Sequence, residues 1–381
     1  MLRWRSHRPT MTIEPVRHLY IHVPFCARRC SYCDFSISVR SVTPVTSYVE
    51  SIALEIARHD TTAWNLDTIY LGGGTPSRLG AGVGHVLTLV RDRARVASGA
   101  EVTIEANPDD VTPQAAAGWV ACGVNRVSLG AQSFDPTVLE WMHRTHSSEQ
   151  IGIAFRTLRE AGVVNISLDL IFALPERLRR DWSADIDRAL QLAPDHVSLY
   201  GLTVESHTPL GRWRDRGEVV EAPEERYETE FMVAHNRLGA AGFQHYEVSN
   251  FALPNRRSKH NSSYWTGAPY AALGPSAHSF DGRVRSWNVA AYTDWDRRLR
   301  CGKTVIGGSE ELTDENRLSE RVYLGLRTTD GLRATDAEID LARPWLDAGW
   351  AEASNGTIIL TATGFLRLDA LAASLTLAGS R

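Results

Sequence analysis

Six short segments before residue 210 are rich in apolar and β-branched residues and predict strands. They cover residues 18–25, 66–74, 101–108, 126–134, 165–175 and 196–205. Most are nearly continuous apolar runs, which are typical of strands buried on both faces of a parallel sheet. The pattern therefore predicts a buried parallel sheet.

Helical patterns separate these strands. Apolar residues recur every four positions in two of the intervening segments. They are Tyr48, Ile52 and Ile56, and further along the chain Trp182, Ile186 and Leu190. Two helix starts are marked by a capping residue followed by proline, at Thr112–Pro113 and Asp135–Pro136. Strand and helix alternating six times indicate right-handed βαβ units, hence an α/β sheet or an incomplete barrel.

Polar residues gather at or just past the carboxyl ends of the predicted strands. Besides the cysteines of residues 26–33, they are Gly72, Gly73, Gly74, Thr75, Glu105, Asn107, Gln132, Asp169 and Glu205. Parallel α/β folds carry their sites on this face. Strand ends are polar in any protein because they enter loops, but polar groups at most of these strand ends predict a lined cavity.

After residue 206 the pattern changes. Residues 222–241 predict a helix, and an irregular stretch rich in aromatic, Gly, Pro, Ser and Asn residues follows. Two helical stretches between residues 309 and 376 flank a hairpin with its turn at Asn355–Gly356. We predict four parts: a tail (1–13), a barrel (14–246), an irregular segment packed on it (247–305) and a small α+β, winged-helix-like C-terminal domain (306–381).

Composition narrows the class of protein. The chain has 381 residues, of which 43% are hydrophobic and 23% charged, as in a globular protein. Its net charge of −4 does not indicate binding to nucleic acid. No apolar run reaches the ~18 residues that a membrane span needs. The basic start is not followed by the apolar region of a secretory signal, and Met11 could be the true start. Five cysteines, three of them close together, indicate reduced ligands and a cytoplasmic protein.

Cys26, Cys30 and Cys33 have the spacing C-x-x-x-C-x-x-C directly after a predicted strand. A zinc site would need a further pair of ligands at short spacing, and a disulfide would leave one thiol odd. Three thiolates in about eight residues fit three corners of a cubic iron–sulfur cluster, whose fourth iron is open to a small molecule. Cys122 and Cys301 lie far away in sequence and are expected to be ordinary thiols.

This loop resembles that of the radical S-adenosylmethionine (SAM) superfamily, where it follows the first strand of a partial, TIM-like (β/α)6 barrel. The resemblance implies a [4Fe–4S] cluster on the three cysteines, with the open iron bound by the methionine part of SAM. Several stretches are similar to the oxygen-independent coproporphyrinogen oxidase branch of that superfamily. They are "YIHVPFCARRCSYCDF", "LGGGTPS", "EANPDD", "RVSLGAQSF", "HRTHSSEQ" and "LDLIFALP".

Matched residue by residue, the resemblance implies a set of SAM contacts. They are Tyr20, Tyr32, Gly73, Gly74, Thr75, Glu105, Gln132, Arg144 and Asp169. Their chemistry suits SAM, because glycines let the backbone approach a ligand and a guanidinium pairs a carboxylate in two places. A tight turn would also explain the glycines, and a solvated helix end would explain Arg144. A charge at Asp169, inside an apolar strand, needs a partner.

Two departures favour a relative of the oxidase over the oxidase itself. Phe35 stands where the oxidase commonly has a cysteine, and only 25 residues precede Cys26. "HNSSYW", residues 260–265, and "LGLRTTDGL", residues 324–332, resemble the haem chaperone HemW family. This resemblance implies haem as the cargo and apo-haemoproteins, such as respiratory haem enzymes, as acceptors.

The residues of "HNSSYW" suit a porphyrin. Histidine is a common axial ligand of haem iron, which makes His260 a candidate haem contact and His278 a second one. Tyr264 and Trp265 could stack on the macrocycle. The cations that could pair with its propionates are Arg256, Arg257 and Lys259. The alternative is that the motif only orders a loop and fills the core beneath it.

We therefore predict a haem-binding and haem-transfer protein on a radical SAM scaffold, without coproporphyrinogen oxidase activity. Two alternatives stay open: the oxidative decarboxylation of coproporphyrinogen III to protoporphyrinogen IX, and a radical SAM methyltransferase of the same branch. No catalytic residue is singled out. An electron donor is expected if SAM is cleaved, and a homodimer and a peripheral contact with respiratory proteins are further hypotheses.

Overall fold

The computed structural model describes residues 15–379. The predicted tail, residues 1–13, and the question of where the chain starts lie outside the described residues. Within the described range, no helix combines the length and the apolar character needed to cross a membrane.

Strands and helices alternate along the first half of the chain. The strands of residues 15–379 are β1 (Val16–Val23), β2 (Phe25–Cys26), β3 (Ser38–Val39), β4 (Trp64–Gly73), β5 (Arg95–Ala106), β6 (Arg126–Gln132), β7 (Asn165–Phe172), β8 (His196–Gly201), β9 (Gln244–Glu247), β10 (Asn250–Ala252), β11 (Ala271–Leu273), β12 (His278–Phe280), β13 (Val284–Asn288), β14 (Ile306–Glu311), β15 (Leu332–Arg333), β16 (Ala351–Ser354) and β17 (Thr357–Leu360). The helices are α1 (Val45–Ile56), α2 (Gly82–Arg91), α3 (Pro113–Ala121), α4 (Pro136–Trp141), α5 (Ser148–Glu160), α6 (Trp182–Gln191), α7 (Pro209–Asp215), α8 (Glu224–Ala240), α9 (Lys259–Trp265), α10 (Tyr292–Arg300), α11 (Asp314–Leu326), α12 (Asp336–Leu341), α13 (Arg343–Asp347), α14 (Ala362–Phe365) and α15 (Leu368–Gly379).

The six predicted strands are neighbours in one sheet, and the predicted α/β fold is confirmed. The sheet order is β11-β1-β4-β5-β6-β7-β8-β10-β9. Strands β11 to β8 in that order run parallel, and β10 pairs antiparallel with both β8 and β9. Both predicted caps are present, since the side chains of Thr112 and Asp135 accept hydrogen bonds from backbone N–H groups at the starts of α3 and α4.

The strands present apolar residues to the surrounding helices and polar residues to the opposite face, which we call the inner face. In β1, Leu19 and Ile21 are buried in the cluster that includes Ile52 of α1. On the inner face, Tyr20 stacks on Tyr70 of β4 with 6.1 Å between ring centroids. Because side chains alternate along a strand, each strand contributes a ladder of polar groups to this inner face.

The segment 247–305 was expected to be irregular, and here the prediction was wrong. It contributes β10, α9, β11, β12, β13 and α10. Strand β11 extends the sheet beside β1, with Ala271 opposite Leu19, and β10 pairs with β8 at the other side. Three-residue strands are too short to show a period in the sequence, and their pairing partners are distant.

Helix α9 closes the inner face at the amino-terminal half of the strands. The Glu101 carboxylate of β5 accepts hydrogen bonds from the backbone N–H groups of Lys259 and His260, both at 3.0 Å. The Ser258 hydroxyl accepts from the N–H of Asn261 at 3.2 Å. The free N–H groups at the start of α9 are thus satisfied by side chains.

The end of the chain forms a three-stranded sheet with helices, in the order β15-β17-β16. The predicted hairpin turn is confirmed, because Ser354 pairs with Thr357 and both Asn355 (φ 51°) and Gly356 (φ 72°) lie in the left-handed region. Helices α11 and α15 pack against each other beside this sheet. The boundary of this part at residue 306 stays a prediction.

The cap on α9 predicts a stability effect. Glu101→Ala is expected to lower the free energy of unfolding by about 2–3 kcal/mol, because two buried N–H groups lose their acceptor. Glu101→Gln keeps one carbonyl acceptor for the cap but removes a negative charge near the buried Arg126, so it should lose about as much. Urea unfolding measures both values. The exposed Glu149→Ala serves as the control, and an equal, small effect of Glu101→Ala and Glu149→Ala would contradict the role of this cap.

Candidate functional site

The three clustered cysteines lie in a loop held by the short pair β2 and β3 at the carboxyl end of β1. All three are free thiols. The Thr75 hydroxyl donates to Cys26 Sγ at 3.4 Å, and the Arg144 guanidinium donates to Cys30 Sγ at 3.3 Å. Burial raises the pKa of Cys26 and raises that of Cys33 to about 12. A metal centre that binds here must therefore displace protons from the thiols.

The donor set fits a cluster better than a single ion. Within residues 15–379, no three His, Cys, Asp or Glu side chains surround a common point as the ligands of one metal ion would. A cubic cluster holds its irons at separate corners and spreads its thiolates over a wider span. Three cysteines along one cavity wall, with a guanidinium beside them, fit that arrangement.

The cysteines line a cavity of about 420 Å³ at the carboxyl ends of the inner strands. All the predicted SAM contacts except Tyr20 line it as well. They are Tyr32, Gly73, Gly74, Thr75, Glu105, Gln132, Arg144 and Asp169. Phe35 borders the same cavity and is 61% exposed, so it forms an apolar part of the cavity rim.

Backbone geometry requires the glycines of this cavity. Gly73 has φ +112°, and a Cβ on it would meet the His22 ring at 2.5 Å. A Cβ on Gly74 would meet the carbonyl carbon of Pro24 at 2.7 Å. The N–H of Gly73 donates to Glu105 Oε2 at 3.0 Å. The loop is therefore fixed with bare backbone beside the cysteines, where a ligand can approach closely.

Two carboxyl groups face the cavity from neighbouring layers of the inner face. Glu105 accepts from the Tyr70 hydroxyl at 2.8 Å, and burial raises its pKa to about 7. Asp169 accepts from the hydroxyls of Ser128 at 2.9 Å and Ser167 at 3.3 Å. Burial raises the pKa of Asp169 too, although the hydroxyl donors oppose that rise. Both groups can accept from ligand hydroxyl or ammonium groups.

Arg144 is fixed by three acceptors around the cavity. Besides Cys30, it donates to Asn107 Oδ1 at 2.6 Å and to the carbonyl of Gly130 at 3.0 Å. Its Nε is buried with no partner among the described residues. Gln132 adopts φ +68°, which is rare for a residue with a side chain and is typical of functional sites. The carboxyl end of the sheet thus carries the positive Arg144 guanidinium and Gln132 in a strained backbone conformation.

Tyr20 lies one layer below the cavity. Its hydroxyl is 3.1 Å from His22 Nδ1, and His22 Nε2 lies 2.9 Å from the carbonyl of Ser36. Tyr20 is therefore connected to the glycine loop through His22, whose ring lies beside Gly73. As a direct SAM contact, Tyr20 stays a prediction.

His260 lies at the opposite, amino-terminal end of the inner face, in α9. It is 1% exposed, its Nδ1 is 2.7 Å from the Thr68 hydroxyl, and its Nε2 is 2.8 Å from the Tyr264 hydroxyl. Burial lowers its pKa to about 3. Both ring nitrogens are engaged, so His260 as a haem ligand stays a prediction that this conformation does not offer. The arrangement matches the alternative in which the motif orders its own surroundings.

The other predicted haem contacts are scattered. His278 is exposed and stacks on Trp287 with 5.7 Å between ring centroids. Arg256 lies 3.5 Å from Asp195, and Arg257 lies 3.3 Å from Asp330. Both arginines are thus paired with carboxylates, and the role of Arg256, Arg257 and Lys259 toward propionates stays a prediction.

Sequence reasoning missed several residues that line the cavity. Among them are Ser128, His143 and Tyr200. Alternate residues of a strand share a face, so counting back in steps of two from Gln132 would have found Ser128. In the same way, Tyr200 lies two positions after Ser198, whose hydroxyl is 3.3 Å from that of Ser167 on the inner face. His143 carries no such signal, since it lies in a loop at φ +61°.

Comparison with known proteins agrees with this geometry. The family model described as Radical SAM superfamily matches residues 20–189. The solved coproporphyrinogen III oxidase HemN from Escherichia coli, a radical SAM enzyme, superposes with a TM-score of 0.80 at 20% identity, covering 96% of this chain and 91% of that one, which shows the fold alone. The chain thus has the radical SAM fold, and this superfamily implies a [4Fe–4S] cluster and SAM.

Relatives define the family more narrowly. A protein of Mycobacterium tuberculosis named "Heme chaperone HemW" is 36% identical over 366 residues, covering 94% of each chain. The protein named "Radical S-adenosyl methionine domain-containing protein 1, mitochondrial" of Bos taurus is 35% identical over 329 residues, covering 82% of this chain and 74% of that protein. The chain belongs to the HemW family, as the resemblance of its motifs predicted.

Glu105 predicts a pH dependence of stability. Its folded-state pKa of about 7 lies above the ordinary value of 4.5, so the folded chain holds a proton that the unfolded chain releases. That stabilisation is fully present below about pH 4.5 and is lost as the pH rises through about 7. Glu105→Gln stays neutral, so its unfolding free energy relative to the parent should rise by on the order of 2 kcal/mol between pH 5 and pH 8. Urea unfolding at pH 5 and pH 8 measures this difference, with the exposed Glu352→Gln as the control. If the unfolding free energies of the parent and of Glu105→Gln change equally with pH, the raised pKa of Glu105 is contradicted.

Proposed function

We propose that this chain binds haem and transfers it to apo-haemoproteins, on a scaffold that holds a [4Fe–4S] cluster and SAM. The observation that carries the proposal is the similarity to the haem chaperone of Mycobacterium tuberculosis at 36% identity over 94% of both chains. Similarity over 94% of the chain extends well beyond residues 20–189, which match the radical SAM model.

The cavity at the carboxyl ends of the strands supports the cofactor part of the proposal. Cys26, Cys30 and Cys33 would hold the cluster, with Thr75 and Arg144 donating to two of the sulfurs. When bound, a cluster with SAM supplies one-electron chemistry. We infer that in this protein the pair acts as a structural or regulatory element for haem binding and release.

The chain's own residues suit the parts of SAM. The bare backbone of Gly73 and Gly74 gives room for its amino end, and Arg144 would pair with its carboxylate. Glu105 and Asp169 would accept from ribose hydroxyl groups. Each of these groups lines the same cavity as the cysteines.

Haem, apo-haemoproteins and an electron donor are the partners of this proposal, and nucleic acid is not. A cytoplasmic location belongs to it as well. The homodimer and a peripheral contact with respiratory proteins remain hypotheses of the same proposal.

A second hypothesis, coproporphyrinogen III oxidation, is favoured by one observation: the cavity keeps its full set of cysteine, glycine and carboxyl groups. Anaerobic incubation with SAM, a reductant and coproporphyrinogen III tests it. Formation of protoporphyrinogen IX would favour oxidation over haem transfer.

The main proposal predicts that the chain binds an iron–sulfur cluster and haem, and that it transfers the haem to an acceptor protein. After anaerobic reconstitution with iron and sulfide, the chain should bind haem saturably, seen in the Soret band, and pass it to apomyoglobin. Cys26→Ser with Cys30→Ser and Cys33→Ser should lose iron and sulfide, whereas Cys301→Ser, at an exposed thiol, should keep both. The absence of saturable haem binding would contradict the haem proposal. Zinc without sulfide in the reconstituted protein would contradict the cluster.

The two roles of His260 make different predictions. If it only anchors α9, His260→Ala lowers the free energy of unfolding by about 2–4 kcal/mol through loss of two buried hydrogen bonds, and the Soret band of the haem complex does not change. If it binds iron, the Soret band shifts and haem affinity falls. The geometry favours the first outcome. Exposed His85→Ala, on α2, is the matched control for both measurements.

A further inference from the structure

A second cavity, of about 370 Å³, lies between the end of α9, the turn after β12 and helix α11. We call it the arginine groove, after Arg317, Arg321 and Arg333 on its wall. We propose that the arginine groove binds one edge of haem, with the propionates toward these arginines and the ring edge on the apolar floor. The inference rests on the proposed haem function and adds where the cargo is held.

The floor of the arginine groove is apolar and preformed. Phe280 and Leu312 are buried, and Leu332 is 1% exposed. Trp265, the last residue of "HNSSYW", forms part of the same floor. Aromatic and aliphatic side chains of this kind suit the flat, apolar edge of a porphyrin.

The wall of the groove is positively charged. Arg317 and Arg321 are four residues apart on α11 and therefore share one face of that helix. Arg321 is paired with Glu338, whereas Arg317 and Arg333, the latter in β15, have no ion-pair partner among residues 15–379. The one carboxylate in the groove, Glu320, is already paired with Arg285 at 3.0 Å. The wall thus offers free guanidinium groups to a ligand that carries two carboxylates.

Trp265 supplies an independent sign of a missing polar partner. Its Nε1 is buried and has no hydrogen-bond partner among the described residues. The Arg327 guanidinium lies over its ring at 4.4 Å and holds the ring in place. Buried indole N–H groups normally find an acceptor, although those of Trp119, Trp141 and Trp295 also lack one here. In this proposal, a ligand carboxylate seated against the Trp265 ring supplies the acceptor.

The groove recognises the porphyrin and not its metal. Among the described residues that line it there is no His, Cys, Met or Tyr. Haem held here keeps its iron open to a ligand from another protein. An acceptor's axial ligand can therefore take the iron while the propionates are still bound to the arginines, which suits transfer from carrier to acceptor.

The test uses the full-length, reconstituted chain and two probes, haem and iron-free protoporphyrin IX. The double variant Arg317→Ala/Arg333→Ala is expected to weaken both by at least roughly tenfold, because two charge-assisted hydrogen bonds are lost. Trp265→Phe, which keeps a ring and removes the N–H, should weaken both by a few-fold. Protoporphyrin IX dimethyl ester, which lacks the two charges, should bind the parent chain as weakly as the acid form binds the double variant.

Controls separate the groove from general charge. Arg297→Ala/Arg343→Ala removes two exposed arginines that are paired with Asp294 and Asp340, and it should bind both probes like the parent. Circular dichroism and the iron and sulfide content verify that each variant is folded and loaded.

The outcomes distinguish the proposed haem function of the chain from the proposed haem site in the arginine groove. If the parent chain binds haem and the groove variants bind it equally well, the groove is wrong and the haem function stands. The groove is also wrong if iron-free protoporphyrin IX fails to bind, because binding then depends on the iron. If the parent chain binds neither probe, both the haem function and the groove are wrong.

Discussion

The structure depends on balancing one buried positive charge inside the sheet. Arg126 of β6 is 1% exposed, and its Nε and Nη1 have no partner among the described residues. Burial opposes its charge, but Glu101, Tyr70, Tyr246 and Asp169 together outweigh that effect and raise its pKa, with the Glu101 carboxylate contributing most. Each carboxylate also has a second position-specific contact: Glu101 accepts hydrogen bonds from the first N–H groups of α9, and Asp169 lines the cavity. An uncompensated positive charge at this depth would be costly. The carboxylate at the α9 end and the one at the cavity end of the inner face therefore both help to stabilise the buried Arg126 guanidinium.

The polar inner face also determines the geometry of the site. Glu105 joins the Tyr70 hydroxyl to the N–H of Gly73, so a group within the sheet fixes the loop beside the cysteines. Arg144 in turn joins Asn107, at the end of β5, to Cys30. The cavity is therefore preorganised by hydrogen bonds that do not involve a ligand. Such support is what a cluster and a small organic cofactor need if they are to be held in one orientation.

Local signals in the sequence predicted most of the barrel and of its site. The strands, the proline-marked helix starts, the cysteine loop and the polar strand ends each depend on a few neighbouring residues. What could not be predicted depends on contacts between distant residues: Glu101 with α9, Thr68 with His260, and β11 with β1. The motif around His260 indicated an important segment, but it did not indicate at which end of the sheet that segment lies. Short strands and helices carry too little periodicity to reveal their partners.

The spacing of "HNSSYW" has a physical explanation in one short helix. His260 and Tyr264 are four residues apart, so both point to the inner face, where their side chains bond to each other and to Thr68. Trp265 is one position further, about 100° around the helix, and lies instead in the floor of the arginine groove. One face of α9 therefore anchors the helix against the barrel, and the next presents an indole to the groove between the barrel and the C-terminal part. A histidine that fixes a tryptophan in this way contributes to a ligand site without touching the ligand, and this explains why the most chemically suggestive residue of the motif is the most deeply buried one.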